Sequence, residues 1–148
     1  MALAPSLVYR NEYFEVSVYQ DVPIIEVVRS SVPFTSMLQA ESACAATLKT
    51  LDELGRENHF LLLDSRKAVK ISDPVYEKWF ARVRRDLVAG FPRTAVVFET
   101  IVGKMQGRRL LAKDSAESKS RLFTSQVEAL LHLRSVYRAS LRVRARDD

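Results

Sequence analysis

The chain has 148 residues, of which 47% are hydrophobic and 28% are charged, and it carries a net charge of +5. This length and composition predict one globular domain with its own core, and they exclude a disordered chain and one made of membrane spans. The single cysteine, Cys44, excludes an internal disulfide and fits a reducing, cytoplasmic setting, as does the absence of a signal-peptide pattern at the start.

The first third of the chain predicts a β-hairpin followed by a helix. Residues 1–10 show no regular pattern, and we expect them to be loose. Tyr13–Tyr19 and Ile24–Val28 are rich in β-branched and aromatic residues and flank a turn, which is typical of two antiparallel strands. Ser36, followed by a glutamine three residues later, predicts a capping box, and Gly55 marks the end of the helix that it begins.

The middle of the chain predicts two buried strands separated by a helix. Phe60–Leu63 is a short continuous apolar run, which favours a strand buried on both faces. Asp73 is a good N-cap and Pro74 suits the first helical position, so we expect a second helix from Asp73 to Val88. Thr94–Phe98 is the next buried strand.

The last third predicts two more helices and one strand. Ile101–Lys113 is a weaker helix, Arg121–Thr124 is a short strand, and Ser125 caps a final helix. Strands that alternate with helices predict an α/β fold with a mixed, partly parallel sheet of about five strands and about four helices.

Three segments together resemble the STAS superfamily, and within it the SpoIIAA-like (STAS/SEC14-type) branch. They are the buried strand Phe60–Leu63 that ends in Asp64, the strand-forming run Arg93–Val97, and the closing strand and helix between Leu122 and Leu133. The resemblance covers roughly residues 13–134. It implies a single STAS-like domain over residues 11–134, with residues 135–148 as a basic helical extension and tail, and a regulatory function that involves no catalysis.

In the anti-sigma-factor antagonists of that superfamily, a serine at the start of the second helix is phosphorylated. Here the stretch contains Ser72 and Asp73 instead of the expected pattern, and Asp73 stands about where the phosphorylated serine would be. The resemblance therefore makes Ser72 and Asp73 candidates for a switch, with a carboxylate that mimics a charged state as one interpretation. Cap preferences alone make Asp73 a plain helix cap.

The basic charge is concentrated near the C-terminal end. Residues 119–146 contain seven basic residues and one acid, Glu128. Arg134, Arg138 and Arg142 recur every four residues and so share one helix face. With Arg82 and Arg85 of the second helix, they are the candidate partner-binding residues.

An aromatic stripe on the second helix gives a second candidate site. Tyr76, Trp79 and Phe80 lie at helical spacing, which is typical of core packing. The alternative is that they line a cavity for a lipophilic ligand, which the resemblance to SEC14-type proteins supports.

Nothing in the sequence predicts catalysis, a metal site or a cofactor. His59 and His132 are the two histidines, and no pattern places either beside Cys44 or a serine, as nucleophilic catalysis would need. We therefore expect a non-catalytic regulatory or adaptor domain that acts through a protein partner, one with an acidic surface. A carrier of a small lipophilic molecule, a homodimer and peripheral contact with an anionic membrane stay open as alternatives, and nucleic acid is the least favoured partner.

Overall fold

A single six-stranded sheet organises the molecule. The computed structural model describes residues 4–69, 73–113 and 119–147. Neighbouring strands in the sheet follow chain order. The pairs β1–β2 and β2–β3 are antiparallel, and β3 to β6 run parallel. The strands are β1 (Ser6–Arg10), β2 (Phe14–Val18), β3 (Ile24–Arg29), β4 (Phe60–Asp64), β5 (Thr94–Val97) and β6 (Ser120–Phe123).

Four α-helices complete the described part of the fold, together with one turn of 3-10 helix at Arg56–Asn58. The helices are α1 (Met37–Leu54), α2 (Pro74–Val88), α3 (Ile101–Lys113) and α4 (Gln126–Asp147). The predicted α/β class and helix number are therefore confirmed, with six strands in place of about five.

The additional strand is β1, at a position expected to be loose. Ser6–Arg10 pair with β2 at the edge of the sheet, and the register shifts by one residue between Leu7 and Tyr9. The strand is largely exposed, so it lacks the buried apolar alternation by which a strand is recognised in a sequence. Its pairing with β2 and the Asn11 side chain hold it in place, since the Asn11 carboxamide oxygen accepts from the backbone N–H groups of Tyr13 and Phe14.

Each face of the sheet has its own hydrophobic core. Alternate residues of the apolar strands point to opposite faces, so that Leu61 and Leu63 pack beneath α1 and α2, whereas Leu62 packs beneath α4. α1 connects β3 to β4, and α2 connects β4 to β5. Because both right-handed crossovers move in the same direction across the parallel strands, the two helices lie on the same face of the sheet. The continuous apolar run in β4 is buried on both faces, as predicted.

The predicted helix boundaries correspond to real caps. The Ser36 hydroxyl accepts from the Gln39 N–H, and α1 ends at Gly55, whose φ of 92° is a left-handed conformation that favours glycine. The second half of the predicted capping box does not form: the Gln39 carboxamide oxygen accepts from the hydroxyls of Tyr13 and Thr35 and not from the Ser36 N–H. At the far end of α2, the Arg56 guanidinium donates to the last backbone carbonyls, among them that of Ala89 at 2.8 Å.

The last helix is longer than the sheet that supports it. At 1.5 Å per residue, the 22 residues of α4 span about 33 Å, roughly twice the length of a five-residue strand. The helix is unbroken across residues 134 and 135, so the expected extension at 135–148 is a continuation of α4 as far as Asp147. The Tyr137 ring packs edge-on against Phe60, the first residue of β4, at a centroid distance of 6.5 Å. Residues 138–147 therefore project past the edge of the sheet, and we call them the α4 overhang.

Candidate functional site

The start of α2 has the predicted cap. The Asp73 carboxylate accepts from the Val75 N–H at 2.8 Å, and Pro74 occupies the first helical turn. Asp73 is exposed, and Ser72 lies outside the described residues. Capping accounts for the Asp73 side chain, and the switch at these two residues stays a prediction.

The aromatic stripe of α2 is part of the core beneath that helix. Trp79 is 9% exposed, and its ring contacts those of Tyr76, Phe80 and Phe34 at centroid distances of 4.8 to 6.5 Å. On the other side of Phe34 lies the buried Arg29 guanidinium, 4.5 Å from the ring centroid. The structure thus brings the three predicted residues together, and the rings pack against one another. The lipophilic-ligand alternative stays a prediction.

The candidate arginines fall on two faces of the molecule. Arg82 and Arg85 are exposed on α2, whereas Arg138 and Arg142 are exposed on α4. Because α2 and α4 pack on opposite faces of the sheet, the two pairs do not form one continuous surface.

Arg134 differs from the other arginines of its helix because it has a partner within the fold. Its guanidinium makes a two-pronged ion pair with the Asp21 carboxylate, with Nη1–Oδ2 at 2.8 Å and Nη2–Oδ1 at 3.3 Å. The group also lies over the Tyr19 ring, 5.7 Å from its centroid. These contacts tie α4 to the turn between β2 and β3, so Arg134 anchors the helix and is not a free charge of the predicted binding face.

The α4 overhang carries most of the remaining positive charge. All of its residues except the half-buried Ser140 are exposed. It contains Arg138, Arg142, Arg144 and Arg146, and its only acid among the described residues is Asp147. None of these arginines forms an ion pair with another described residue.

A groove of about 530 Å³ lies at the base of the overhang, and we call it the basal groove. One wall is α4, and the other consists of the segments that lead into β4 and β5. Its apolar lining is Pro23, Phe60, Pro92, Val136 and Tyr137. Its charged or ionisable lining is Arg93, Arg144, His59 and a single acid, Glu57. Most of the apolar residues are half-buried, whereas Arg93 and Arg144 are exposed, so the groove is apolar at its floor and mostly basic at its rim.

The surroundings of His132 show that the positive charge extends beside the groove. Burial, followed by the charges of Arg121 and Arg93, lowers the pKa of His132. The His132 ring also packs against Phe123 at a centroid distance of 5.5 Å. Arg93, which directly precedes β5, and Arg121 of β6 thus lie in the same basic region as the arginines of α4.

Sequence reasoning did not name Arg93, Arg121 or Arg144 as candidate binding residues, although Arg121 and Arg144 belong to the basic stretch 119–146. Arg93 precedes a strand and Arg121 lies within one, and neither position has a charge pattern of its own. Only the pairing of β5 with β6, together with the packing of α4, brings them together. The excess of basic residues between 119 and 146 was a signal for Arg121 and Arg144 only, and nothing in the sequence pointed to Arg93.

A second polar cluster lies around the central strands β3 and β4, and its members are buried except for Arg66. The Tyr19 hydroxyl donates to the Glu26 carboxylate at 2.8 Å, and the Arg66 guanidinium makes a two-pronged pair with the Asp64 carboxylate. Burial and the neighbouring Asp64 charge raise the pKa of Glu26, and burial together with Glu26 raises the pKa of Tyr19. The Glu26 carboxylate is paired with Tyr19 and the Asp64 carboxylate with Arg66, so we assign this cluster a structural role.

The other residues considered for chemistry are far apart in the fold. Cys44 is a buried residue of α1 and His132 lies on α4, on opposite faces of the sheet. Burial raises the pKa of the Cys44 thiol to about 11. The described residues contain no group of three or more side chains suited to holding a metal ion, and none of their helices is both long and apolar enough to cross a bilayer.

No family model, no curated protein and no solved structure matches this chain. The resemblance to the STAS superfamily accordingly stays a prediction.

Proposed function

We propose that this protein is a non-catalytic regulatory or adaptor domain that binds an acidic protein partner through the α4 overhang. The observation that carries the proposal is the exposed run of four arginines at residues 138–147, which the rest of the described fold leaves without carboxylate partners.

The energetics of the overhang support a bound partner. The overhang continues α4 with few tertiary contacts, since all of its residues except Ser140 are exposed, so packing contributes little to its helicity. Arg138, Arg142 and Arg146 are spaced four apart, so their charges repel one another along one face and weaken the helix further. Carboxylates of a partner would remove that repulsion, and arginine favours such contacts because its planar group binds a carboxylate through two parallel hydrogen bonds. An acidic partner would also be steered to this basic end of the molecule.

The arrangement of apolar residues favours a protein over a membrane. A membrane-surface helix needs one continuous apolar face. The exposed apolar residues of the overhang, Leu141 and Val143, are two positions apart and therefore point about 160° away from each other around the helix. Neither side of the overhang presents an apolar face wide enough for insertion into lipid.

The same reasoning disfavours nucleic acid and self-association through this segment. The overhang contains no phenylalanine, tyrosine or tryptophan, so it has no row of rings on which successive bases could stack. A symmetric dimer made by two overhangs would place arginines opposite arginines.

Affinity capture from the protein's own cells tests the proposal. The bait is compared with an overhang variant, Arg138→Glu with Arg142→Glu, and with a control of equal charge change on the other face, Arg82→Glu with Arg85→Glu. We expect acidic proteins that the wild type and the control retain and that the overhang variant loses. Equal recovery by all three baits would contradict the proposal.

A further inference from the structure

The basal groove carries an inference that rests on the proposed function and makes it more specific. The overhang alone would attract any acidic surface, whereas the groove beside it would select partners by the shape of the side chain that it holds. We propose that the basal groove seats one large apolar side chain of the partner, flanked in the partner's sequence by carboxylates.

The floor of the groove supports an apolar anchor. The Phe60 and Tyr137 rings are each only half-buried, and they meet edge-on where α4 crosses the start of β4. Pro92 and Val136 extend this apolar surface on the two walls. The groove is partly open to solvent, and its volume of about 530 Å³ is large enough for one aromatic side chain.

The rim supports flanking carboxylates. Arg93 comes from the segment before β5 and Arg144 from α4, so a cation stands on each wall. The Arg93 guanidinium donates to the carbonyl of Pro92 at 3.0 Å, which holds the group at the rim, and it has no carboxylate partner among the described residues. Glu57 is the one acid among the residues that line the groove. A segment with acids on both sides of the anchor matches this pattern.

The anchor distinguishes the groove from the overhang. Charge alone gives long-range attraction with little choice of partner, whereas a filled apolar pocket concentrates binding energy in a few contacts. Arg142 provides the comparison residue within the overhang: it shares in the attraction of acidic partners, but it lies two positions from Arg144 and points about 160° away from it around the helix, so its substitution changes the same charge outside the groove.

Nuclear magnetic resonance titration of the full-length, nitrogen-labelled protein tests the inference. The probes are the acetylated and amidated peptides Glu-Glu-Phe-Glu-Glu and Glu-Glu-Ala-Glu-Glu. We expect the first peptide to shift the backbone amides of Phe60, Arg93 and Tyr137 and to bind about tenfold more tightly than the second, since one buried anchor is worth at least 1.4 kcal/mol. Arg144→Glu should weaken this binding about tenfold, and Arg142→Glu no more than about threefold.

The outcomes separate the groove from the adaptor function. Equal affinity for the two peptides, or equal effects of the two substitutions, would overturn the groove and leave the overhang as the binding element. Shifts confined to residues 138–147 would do the same. No shift from either peptide at millimolar concentration would also overturn the groove, while the captures with the overhang variant decide the adaptor function independently.

Discussion

Replacement of Arg134 by alanine separates a structural arginine from the binding arginines of the same helix. The Arg134 and Asp21 side chains are 13% and 30% exposed, and their two-pronged ion pair links α4 to the turn before β3, together with the Gln126 hydrogen bond to the Tyr19 hydroxyl. The guanidinium also covers one face of the Tyr19 ring. We therefore expect Arg134→Ala to destabilise the fold, although residue 134 shares a helix face with Arg138.

The magnitude follows from these contacts. Loss of a largely buried, charge-assisted pair costs about 1.5–3 kcal/mol, and loss of the cation–π contact costs about 0.5–1 kcal/mol. The Arg134 Nε is buried and has no hydrogen-bond partner among the described atoms, so its removal returns part of that cost. We expect a net loss of about 2 kcal/mol, which lowers the melting temperature by about 4–8 °C for a domain of this size.

Urea unfolding followed by circular dichroism measures the difference. Arg138→Ala is the control, because that side chain is exposed and its loss should change stability by less than about 0.5 kcal/mol. A double-mutant cycle with Asp21→Ala should give a coupling free energy of about 1 kcal/mol or more between the two side chains. If Arg134→Ala costs no more than Arg138→Ala, the anchoring of α4 by this pair is wrong.

Three further predictions concern buried groups. The pKa of Glu26 is raised above its ordinary value of 4.5, so the folded state holds that proton more tightly than the unfolded state. Wild-type stability should therefore fall as the pH rises from about 4.5 through the folded pKa. The free energy of unfolding of Glu26→Gln minus that of wild type should grow with pH over this range, and a constant difference would contradict the assignment. Since burial raises the pKa of the Cys44 thiol to about 11, a disulfide reagent at pH 8 should label it only as fast as the protein unfolds, and rapid labelling of the folded protein would show an accessible thiolate. Because the Trp79 ring packs among other aromatic rings, added fatty acid should leave its emission unchanged, whereas quenching together with a co-purified lipophilic molecule in native mass spectrometry would favour the carrier alternative.

Local signals predicted most of the fold. Some signals depend only on residues that are close in the sequence, and the structure has the corresponding caps and strands at the predicted positions. They are the N-caps Ser36 and Asp73 and the apolar runs of β4 and β5. The edge strand β1 was not predicted, because its residues are mostly exposed and its strand conformation depends on pairing with β2.

The candidate site was predictable only in part, because it depends on contacts between distant residues. Helical spacing correctly places Arg134 and Arg138 on one face, but it does not show that Asp21, 113 residues earlier, neutralises one of them. In the same way, Arg93 and Arg144 meet at the basal groove only because α4 passes over the starts of β4 and β5.

Site-specific photo-crosslinking in the protein's own cells tests the central claim most directly. A crosslinking amino acid replaces Leu141 on the overhang or, as a control, Leu38 on α1; these side chains are 43% and 77% exposed and lie at opposite sides of the sheet. We expect a discrete adduct with an acidic protein from position 141, lost when Arg138 and Arg142 are changed to glutamate, and none of that mass from position 38. Absence of an adduct at 141, or the same adduct from both positions, would contradict binding through the α4 overhang.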